Sequence, residues 1–434
     1  MVDQLIFAPY IVTVAKDREV LLDHALAIEN DQIVNILPEQ EANKLVAKEV
    51  LHLPNHVLMP GLVNLHGHSA MTLLRGLADD LALMDWLNNH IWPAEGKHVS
   101  DPFVYDGTLL AMAEMIRGGT TTINDMYFYH GAVARAGLKS GMRTVIGCSA
   151  LEFPTAYGQN AQEYLDFAME AYHIYKGESL LSFALAPHAP YTVSDDTFKK
   201  VVQQAEQHDL LIHCHIHETK DEIEGSLKEH GVRPLARLER LGVLQSRLIG
   251  AHMVHVTDEE IELLSKHQVK IAHNPSSNMK LASGCAPVQK MLNQGVCVGL
   301  GTDGAASNNK LDMFADMRLA ALIAKGFSGR PTDINAYDAV KMATINGATA
   351  LGMGNKTGSL EVGKQADLIA IDLGQVETQP VFDPISHIVY AAGREQVTHT
   401  WVAGKSLLKN RVLSTLDEAA LIEQAKVWRQ SIQK

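Results

Sequence analysis

The sequence of 434 residues is poor in cysteine, has no excess of positive charge and contains no long apolar run. Its four cysteines form no CxxC pair, which argues against a disulfide framework and against a cysteine-based zinc site. Acidic residues outnumber basic ones by 50 to 37, and no Lys/Arg cluster forms a stripe, so we expect neither a nucleic-acid nor a membrane partner. Without a basic signal segment or a run of about 20 apolar residues, a cytoplasmic protein is expected.

What the sequence does have is an ordinary globular composition and many histidines. Hydrophobic residues make up 46% and charged residues 20%, values typical of a folded globular chain. The 21 histidines are the unusual feature, because histidine is the commonest metal ligand and titrates near neutral pH. A count alone identifies no site, so the positions of the histidines must decide.

Short apolar runs alternate with amphipathic stretches of helical length over the middle of the chain. The runs are continuous in Val, Ile, Leu and Ala, which is typical of parallel strands buried on both faces. Eight such repeats predict an α/β fold of the (β/α)8 TIM-barrel type, with a doubly wound open sheet as the alternative. The predicted strands are Leu58–Leu65, Thr120–Asp125, Arg143–Ser149, Leu181–Ala186, Leu210–His215, Leu248–His252, Val269–His273 and Cys297–Leu300.

The two ends of the chain have a different pattern, with short β-like runs separated by turns. Neither end is long enough for a separate core, so together they predict one small β-sandwich domain beside the barrel. The predicted domains are therefore a small domain of residues 1–55 and 366–434 and a barrel of residues 56–365. The last stretch, Asp417–Ile432, predicts a closing helix of the small domain.

Polar side chains follow five of the eight predicted strands, at the strand ends where barrel enzymes place their active sites. His66 and His68 are two residues apart, a spacing that points both rings to one side of an extended segment. Two such imidazoles, joined by a third histidine and an aspartate, suit zinc or a similar divalent ion. The other candidates at these ends are His188, His213, His215, His217, Glu218, His252, His255 and Asp303.

The fifth predicted strand offers three histidines that share one face. Alternation therefore does not choose among them. His215 is favoured as a ligand because Glu218 follows three residues later, on the loop that leaves the strand. His213 is expected to pack or to orient its neighbours, and His217 is left without a role.

Several motifs resemble those of the amidohydrolase superfamily, and together they cover nearly the whole chain. Within it, the chain is most similar to the branch that contains 5′-methylthioadenosine/S-adenosylhomocysteine deaminases and triazine hydrolases. The motifs are Val57–His68 (VLMPGLVNLHGH), His215-x-x-Glu218, Ala251–His255 (AHMVH), Gly301–Asn309 (GTDGAASNN) and Gly358–Leu368 (GSLEVGKQADL).

The resemblance implies a cofactor of one divalent metal ion per chain, with zinc favoured. It implies the metal ligands His66, His68, His215 and Asp303. Members that bind two metals bridge them with a modified lysine from the fourth strand. That strand has no lysine here, which points to a single ion.

The resemblance and the residue chemistry together imply a hydrolytic deamination of an adenine nucleoside. Asp303 is expected to be the general base, Glu218 to protonate a ring nitrogen, and His252 to stabilise the attacking oxygen. Glu95 and His188 are expected to contact ribose, and Trp86 to stack on the base or to pack in the core.

Two other functions remain open on the sequence alone. One is the removal of chloride or an amine from a triazine, and the other is a non-catalytic scaffold on the same fold. The intact polar set argues against the scaffold.

We also expect a homo-oligomer. No arginine occurs between Arg143 and Arg233. Some members of the family place an arginine in this region, where it can pair with a carboxylate of the substrate. A small apolar 5′ substituent is therefore expected to be accepted at least as well as a charged one.

Overall fold

The computed structural model describes residues 1–434 and consists of seventeen strands and eighteen α-helices. The strands are β1 (Val2–Val12), β2 (Val20–Glu29), β3 (Gln32–Pro38), β4 (Ala47–His52), β5 (His56–Pro60), β6 (Leu62–Gly67), β7 (Thr120–Tyr127), β8 (Arg143–Ala150), β9 (Leu181–Pro187), β10 (Leu211–Ile216), β11 (Leu248–His252), β12 (Lys270–His273), β13 (Cys297–Leu300), β14 (Leu368–Asp372), β15 (Val397–Val402), β16 (Lys405–Lys409) and β17 (Val412–Leu413).

The helices connect these strands, and most of the longer ones follow strands of the barrel. They are α1 (Glu39–Ala42), α2 (Leu83–Trp86), α3 (Trp92–His98), α4 (Asp101–Arg117), α5 (His130–Ser140), α6 (Ala161–Tyr175), α7 (Asp195–His208), α8 (Lys220–His230), α9 (Pro234–Arg240), α10 (Asp258–Lys266), α11 (Pro275–Lys280), α12 (Val288–Asn293), α13 (Ala305–Asn308), α14 (Met313–Ser328), α15 (Ala336–Ala343), α16 (Ile345–Ala350), α17 (Pro384–Tyr390) and α18 (Glu418–Ile432). No helix of the protein is both long and apolar enough to cross a membrane.

An eight-stranded sheet holds β6 to β13 in the order of the sequence. Each pair from β8 to β13 is parallel. After β13 the amide of Asp303 donates to the carbonyl of His66, which brings the last strand end to the first. The predicted barrel is confirmed. The open doubly wound sheet is excluded because its strand order reverses at a switch point, whereas this order never reverses.

The first predicted strand, Leu58–Leu65, is wrong in extent, because the chain changes sheet within it. Residues His56–Pro60 form β5 of the second sheet, and Leu62–Gly67 form β6 of the barrel. The break lies at Gly61, where a Cβ atom would come within 2.2 Å of the Thr121 side chain. The position therefore requires glycine, and no apolar pattern reveals this.

A nine-stranded mixed sheet combines strands from both chain ends, as expected for the small β domain. Its order is β17-β16-β15-β14-β5-β1-β2-β3, with β4 also paired to β1. Alternate side chains of β1 enter two apolar clusters, Ile6 with Leu26 and Trp401 in one, and Leu5 with Ala42 in the other. Both faces of this strand are thus buried, which is why its apolar residues form a continuous run.

The chain divides into two compact units. One contains Met1–Asn64, Ala113–Thr122 and Asp312–Leu416, and the other contains Leu65–Met112, Ile123–Leu311 and Asp417–Lys434. The predicted boundaries, 1–55 with 366–434 against 56–365, stay a prediction. The compact units differ from it most in residues 312–365 and in α18, each of which lies in the opposite group.

Candidate active site

Side chains from four strand ends converge on one buried point of the barrel. His66, His215, His252 and Asp303 each offer a ligand atom, and these atoms lie within 4.8 Å of one another. His68 reaches the same point, since its Nε2 lies 3.2 Å from Asp303 Oδ1 and 3.2 Å from His215 Nε2. His66 Nε2 is also 3.2 Å from Asp303 Oδ1. The predicted ligands therefore come together, and His252 joins them.

Hydrogen bonds at the far side of two rings show that this group fits a metal ion. His68 Nδ1 donates to the carbonyl of Met126 at 2.7 Å, and His215 Nδ1 donates to the carbonyl of His188 at 2.7 Å. Because a carbonyl oxygen only accepts, Nδ1 must carry the proton. Nε2 of each ring is then the atom that faces the ligand group, and in the neutral form of the ring it carries the lone pair that a metal ligand requires.

Burial and close charges shift the pKa values in this group. Burial lowers the pKa of His66 to about 4 and holds that of His215 well below its ordinary value, so both rings are neutral. Burial acts to raise the pKa of Asp303, but the hydrogen bonds to His66 and His68 outweigh it and hold that pKa well below its ordinary value. Burial acts to lower the pKa of His68, but the hydrogen bond to Asp303 outweighs it and raises that pKa to about 9. The neutral rings of His66 and His215 and the ionised Asp303 are donors that suit a divalent ion, whose binding would displace the proton of His68.

Asp303 and His252 are oriented by the loops that follow β12 and β13. Asp303 Oδ2 accepts from Ser277 Oγ at 2.6 Å and from Ser307 Oγ at 2.9 Å. His252 Nδ1 lies 2.8 Å from Asn278 Oδ1. Sequence reasoning missed Ser277, Ser307 and Asn278. A search of the seventh strand end would have found the run Asn274-Pro275-Ser276-Ser277-Asn278 directly after β12.

Glu218 lies beside His252, with 3.7 Å between Oε2 and the ring Nε2. Burial raises the pKa of Glu218, which increases its protonated fraction at neutral pH. Its backbone is held by Glu222, whose two carboxylate oxygens accept from the amides of His217 and Glu218, each at 2.8 Å. The buried glutamate of the predicted motif is thus fixed in place by a second glutamate that the sequence analysis did not select.

His213 and His217 have different surroundings. His213 Nε2 lies 2.9 Å from His66 Nδ1, which agrees with the interpretation that His213 orients a neighbour. His217 Nε2 accepts from the amide of Leu235 at 3.2 Å, away from the ligand group. His217 is therefore a structural residue of the loop after β10.

A cavity of about 330 Å³ opens above the ligand group. It contacts every predicted substrate residue, namely Trp86, Glu95, His188, Glu218 and Asp303. Most of its other lining side chains are apolar, and no lysine or arginine is among them. Such a cavity suits a largely uncharged ligand that presents a few polar groups.

The residues expected at the sugar and the base have specific partners. Glu95 Oε1 accepts from the hydroxyl of Tyr127 at 2.5 Å, and burial raises the pKa of Glu95. His188 Nδ1 lies 3.0 Å from Thr192 Oγ1. Trp86 is buried and donates from Nε1 to the carbonyl of Ala78 at 3.1 Å, so it also packs within its own segment.

Comparisons with known proteins agree with this fold. The chain is 44% identical over 432 residues to a 5-methylthioadenosine/S-adenosylhomocysteine deaminase of Teredinibacter turnerae, covering 99% of this chain and 98% of that protein. It is 42% identical to one of Aquifex aeolicus, with 89% of each chain covered. The crystal structure of an adenosine deaminase from Xanthomonas campestris with bound zinc matches at 46% identity and a TM-score of 0.98, covering 100% and 99% of the two chains.

The fold is shared more widely than the sequence. A zinc complex of an atrazine chlorohydrolase from Arthrobacter aurescens has a TM-score of 0.92 at 22% identity, covering 98% of this chain and all of that one. The family model described as "Amidohydrolase family" matches residues 57–407, which include the strand ends and the whole ligand group. The chain belongs to the amidohydrolase family.

Proposed function

We propose that this protein is a metal-dependent hydrolase that removes the amino group of an adenine nucleoside as ammonia. The observation that carries the proposal is one cavity that contacts the ligand group, Glu218 and the ribose candidates Glu95 and His188. The similarity to 5-methylthioadenosine/S-adenosylhomocysteine deaminases supports the substrate class. The substrates proposed are 5′-methylthioadenosine, S-adenosylhomocysteine, adenosine and 5′-deoxyadenosine.

We propose that one divalent ion, zinc, binds to His66, His68, His215 and Asp303. The absence of lysine from β9 (LSFALAP) supports one ion rather than a bridged pair. When bound, such an ion lowers the pKa of a water molecule toward ~7 and so supplies a nucleophile at neutral pH.

The remaining chemistry belongs to side chains of this protein. Asp303 takes a proton from the attacking water and later passes a proton to the amine that leaves as ammonia. Glu218 gives a proton to the ring nitrogen next to the amino-bearing carbon, which makes that carbon electrophilic. Its raised pKa supports this role. His252 forms a hydrogen bond with the attacking oxygen and stabilises the charge that develops there, while Asn278 holds its ring.

The cavity also supports a preference at the 5′ position. Because no lysine or arginine lines it, a substrate carboxylate finds no charged partner there. The loop after β8 contributes mostly apolar side chains to the cavity, among them Leu151, Phe153 and Ala156. We therefore propose that a small apolar substituent, as in 5′-methylthioadenosine, is accepted at least as well as the amino-acid tail of S-adenosylhomocysteine.

We further propose that the protein works in the cytoplasm as a homo-oligomer. Its four cysteines are free, which suits a reducing compartment. Large apolar side chains such as Phe382 and Val376 are more than 90% exposed, and a second copy of the chain would provide a surface to cover them. Light scattering of the purified protein tests the oligomer, and a mass equal to one chain contradicts it.

An ammonia-release screen tests the proposed function. The zinc-loaded protein is assayed with the four nucleosides, with guanine and with s-triazines, beside Glu218→Gln as the matched inactive control. Release from adenine nucleosides alone is expected. Activity restricted to triazines or guanine contradicts the nucleoside proposal.

A further inference from the structure

The side chain of Glu95 has one hydrogen-bond partner in the protein, and it comes from the barrel rather than from its own segment. The partner is Tyr127 at the end of β7, which is 4% exposed and donates from its hydroxyl to Glu95 Oε1 at 2.5 Å. A tyrosine hydroxyl has a single proton to donate. Burial and the nearby Glu95 raise the pKa of Tyr127 well above its ordinary value, so this proton is retained.

The preceding residue of β7 holds the ligand group. The carbonyl of Met126 accepts from His68 Nδ1 at 2.7 Å, so two consecutive residues of one strand hold His68 and Glu95. Consecutive Cα atoms are 3.8 Å apart in a fixed backbone. The position of the Glu95 carboxylate relative to the reaction centre is therefore set by the end of β7.

We propose that Tyr127 is a positioning residue that orients Glu95 toward the vicinal hydroxyls of ribose and so determines the preference for ribonucleosides. This inference rests on the proposed function. With Oε1 bonded to Tyr127, the carboxylate has one fixed rotation, and Oε2 is left to accept from the substrate. Without that bond, the side chain of a glutamate on a short helix has several rotamers, and ordering it on binding costs affinity.

The test compares Tyr127→Phe with the unchanged protein, using adenosine and 2′-deoxyadenosine as paired substrates. We expect KM for adenosine to rise ~tenfold, the lower end of what a hydrogen bond to a charged group contributes, while kcat changes less than about twofold. KM for 2′-deoxyadenosine should change little, so the preference for ribose falls ~tenfold. The matched control is Tyr337→Phe, a buried tyrosine whose hydroxyl donates to the carbonyl of Lys16 and which does not line the cavity.

Two further variants separate positioning from a general structural effect. In Glu95→Gln/Tyr127→Phe, the ribose preference should equal that of Glu95→Gln alone, because Tyr127 acts only through Glu95. Glu95→Asp retracts the carboxylate from Tyr127 without removing its charge. This variant should lose the preference for ribose to the same extent as Tyr127→Phe. If a thermal melt shows that Tyr127→Phe is unstable, Glu95→Asp takes its place in the test.

The outcomes are distinguishable. An active unchanged protein whose ribose preference persists in Tyr127→Phe and in Glu95→Asp overturns the role of Tyr127 and leaves the proposed function intact. Additive losses in the double variant also overturn it. If the unchanged, zinc-loaded protein releases ammonia from no nucleoside, the proposed function fails and this inference fails with it.

Discussion

The ligand group and the segment that covers it are built in opposite ways. The ligand group lies on strand ends, and each of its rings is held by hydrogen bonds to neighbouring strands or loops. The cap segment, residues 75–99, consists of two short helices with a π-helical turn at Leu87–Ile91 between them. It contributes Glu95 and several apolar side chains to the cavity. The chemistry thus depends on strand ends fixed by these hydrogen bonds, here called the rigid part, and substrate choice depends in part on a helical segment outside the strands.

The largest effect is expected in the rigid part. His66→Ala removes a fully buried residue that we propose as a metal ligand, and it should abolish both metal binding and activity while the protein remains folded. Elemental analysis of the purified protein should find about one divalent ion per chain before the change and none after it. Two ions per chain in the unchanged protein would contradict the argument from the missing lysine.

A second substitution separates proton donation from metal binding. Glu218→Gln preserves shape but lacks the acidic proton, so kcat should fall by about 10²–10⁴ with the metal retained. The control is Glu224→Gln on α8, which does not line the cavity and should leave turnover unchanged. Near-normal turnover in Glu218→Gln would remove the role of ring protonation.

Substitutions in the wall of the cavity should change kcat/KM by smaller factors. We expect kcat/KM for 5′-methylthioadenosine to equal or exceed that for S-adenosylhomocysteine. Ala156→Arg places a cation on the wall of the cavity and should shift this ratio ~tenfold toward S-adenosylhomocysteine, while Ala156→Gln, equally polar but uncharged, should not. A clear preference of the unchanged protein for S-adenosylhomocysteine would mean that a carboxylate partner exists outside the lining described.

The sequence predicts the ligand group well because its signal is local. The spacing of His66 and His68, and the position of each polar residue after an apolar run, need only the rule that parallel strands end at one rim. The sequence does not predict that His252 comes as close as the four expected ligands, because that depends on the left-handed backbone at His252 and Met253. Nor does it predict the pairing of Tyr127 with Glu95, which are 32 residues apart and lie in different elements.

The fold is likewise predictable only where the sequence signal is local. The barrel strands are predictable to within one or two residues at most ends, since continuous apolar runs mark them. The change of sheet at Gly61 is not predictable from the run that contains it, because the cause is the side chain of Thr121 on another strand.

The smallest effect concerns stability rather than activity. Burial lowers the pKa of His130 and of His399 to about 4, against 6.5 in the unfolded chain. Between pH 6.5 and 4 the unfolded chain binds protons at these two histidines that the folded chain does not, so their contribution to stability should be constant above pH 6.5 and fall between pH 6.5 and 4. Thermal melts across this range measure the fall, and His130→Leu should reduce it. A melting temperature independent of pH in this window would contradict the prediction.

We propose that the rigid ligand group and the cavity above it act together on an adenine nucleoside. The most direct measurement follows ammonia release from 5′-methylthioadenosine and the zinc content of the same preparation. We expect one ammonia per nucleoside consumed and a rate proportional to the zinc content, up to one ion per chain. A folded preparation with one zinc per chain that releases no ammonia from any adenine nucleoside would contradict it.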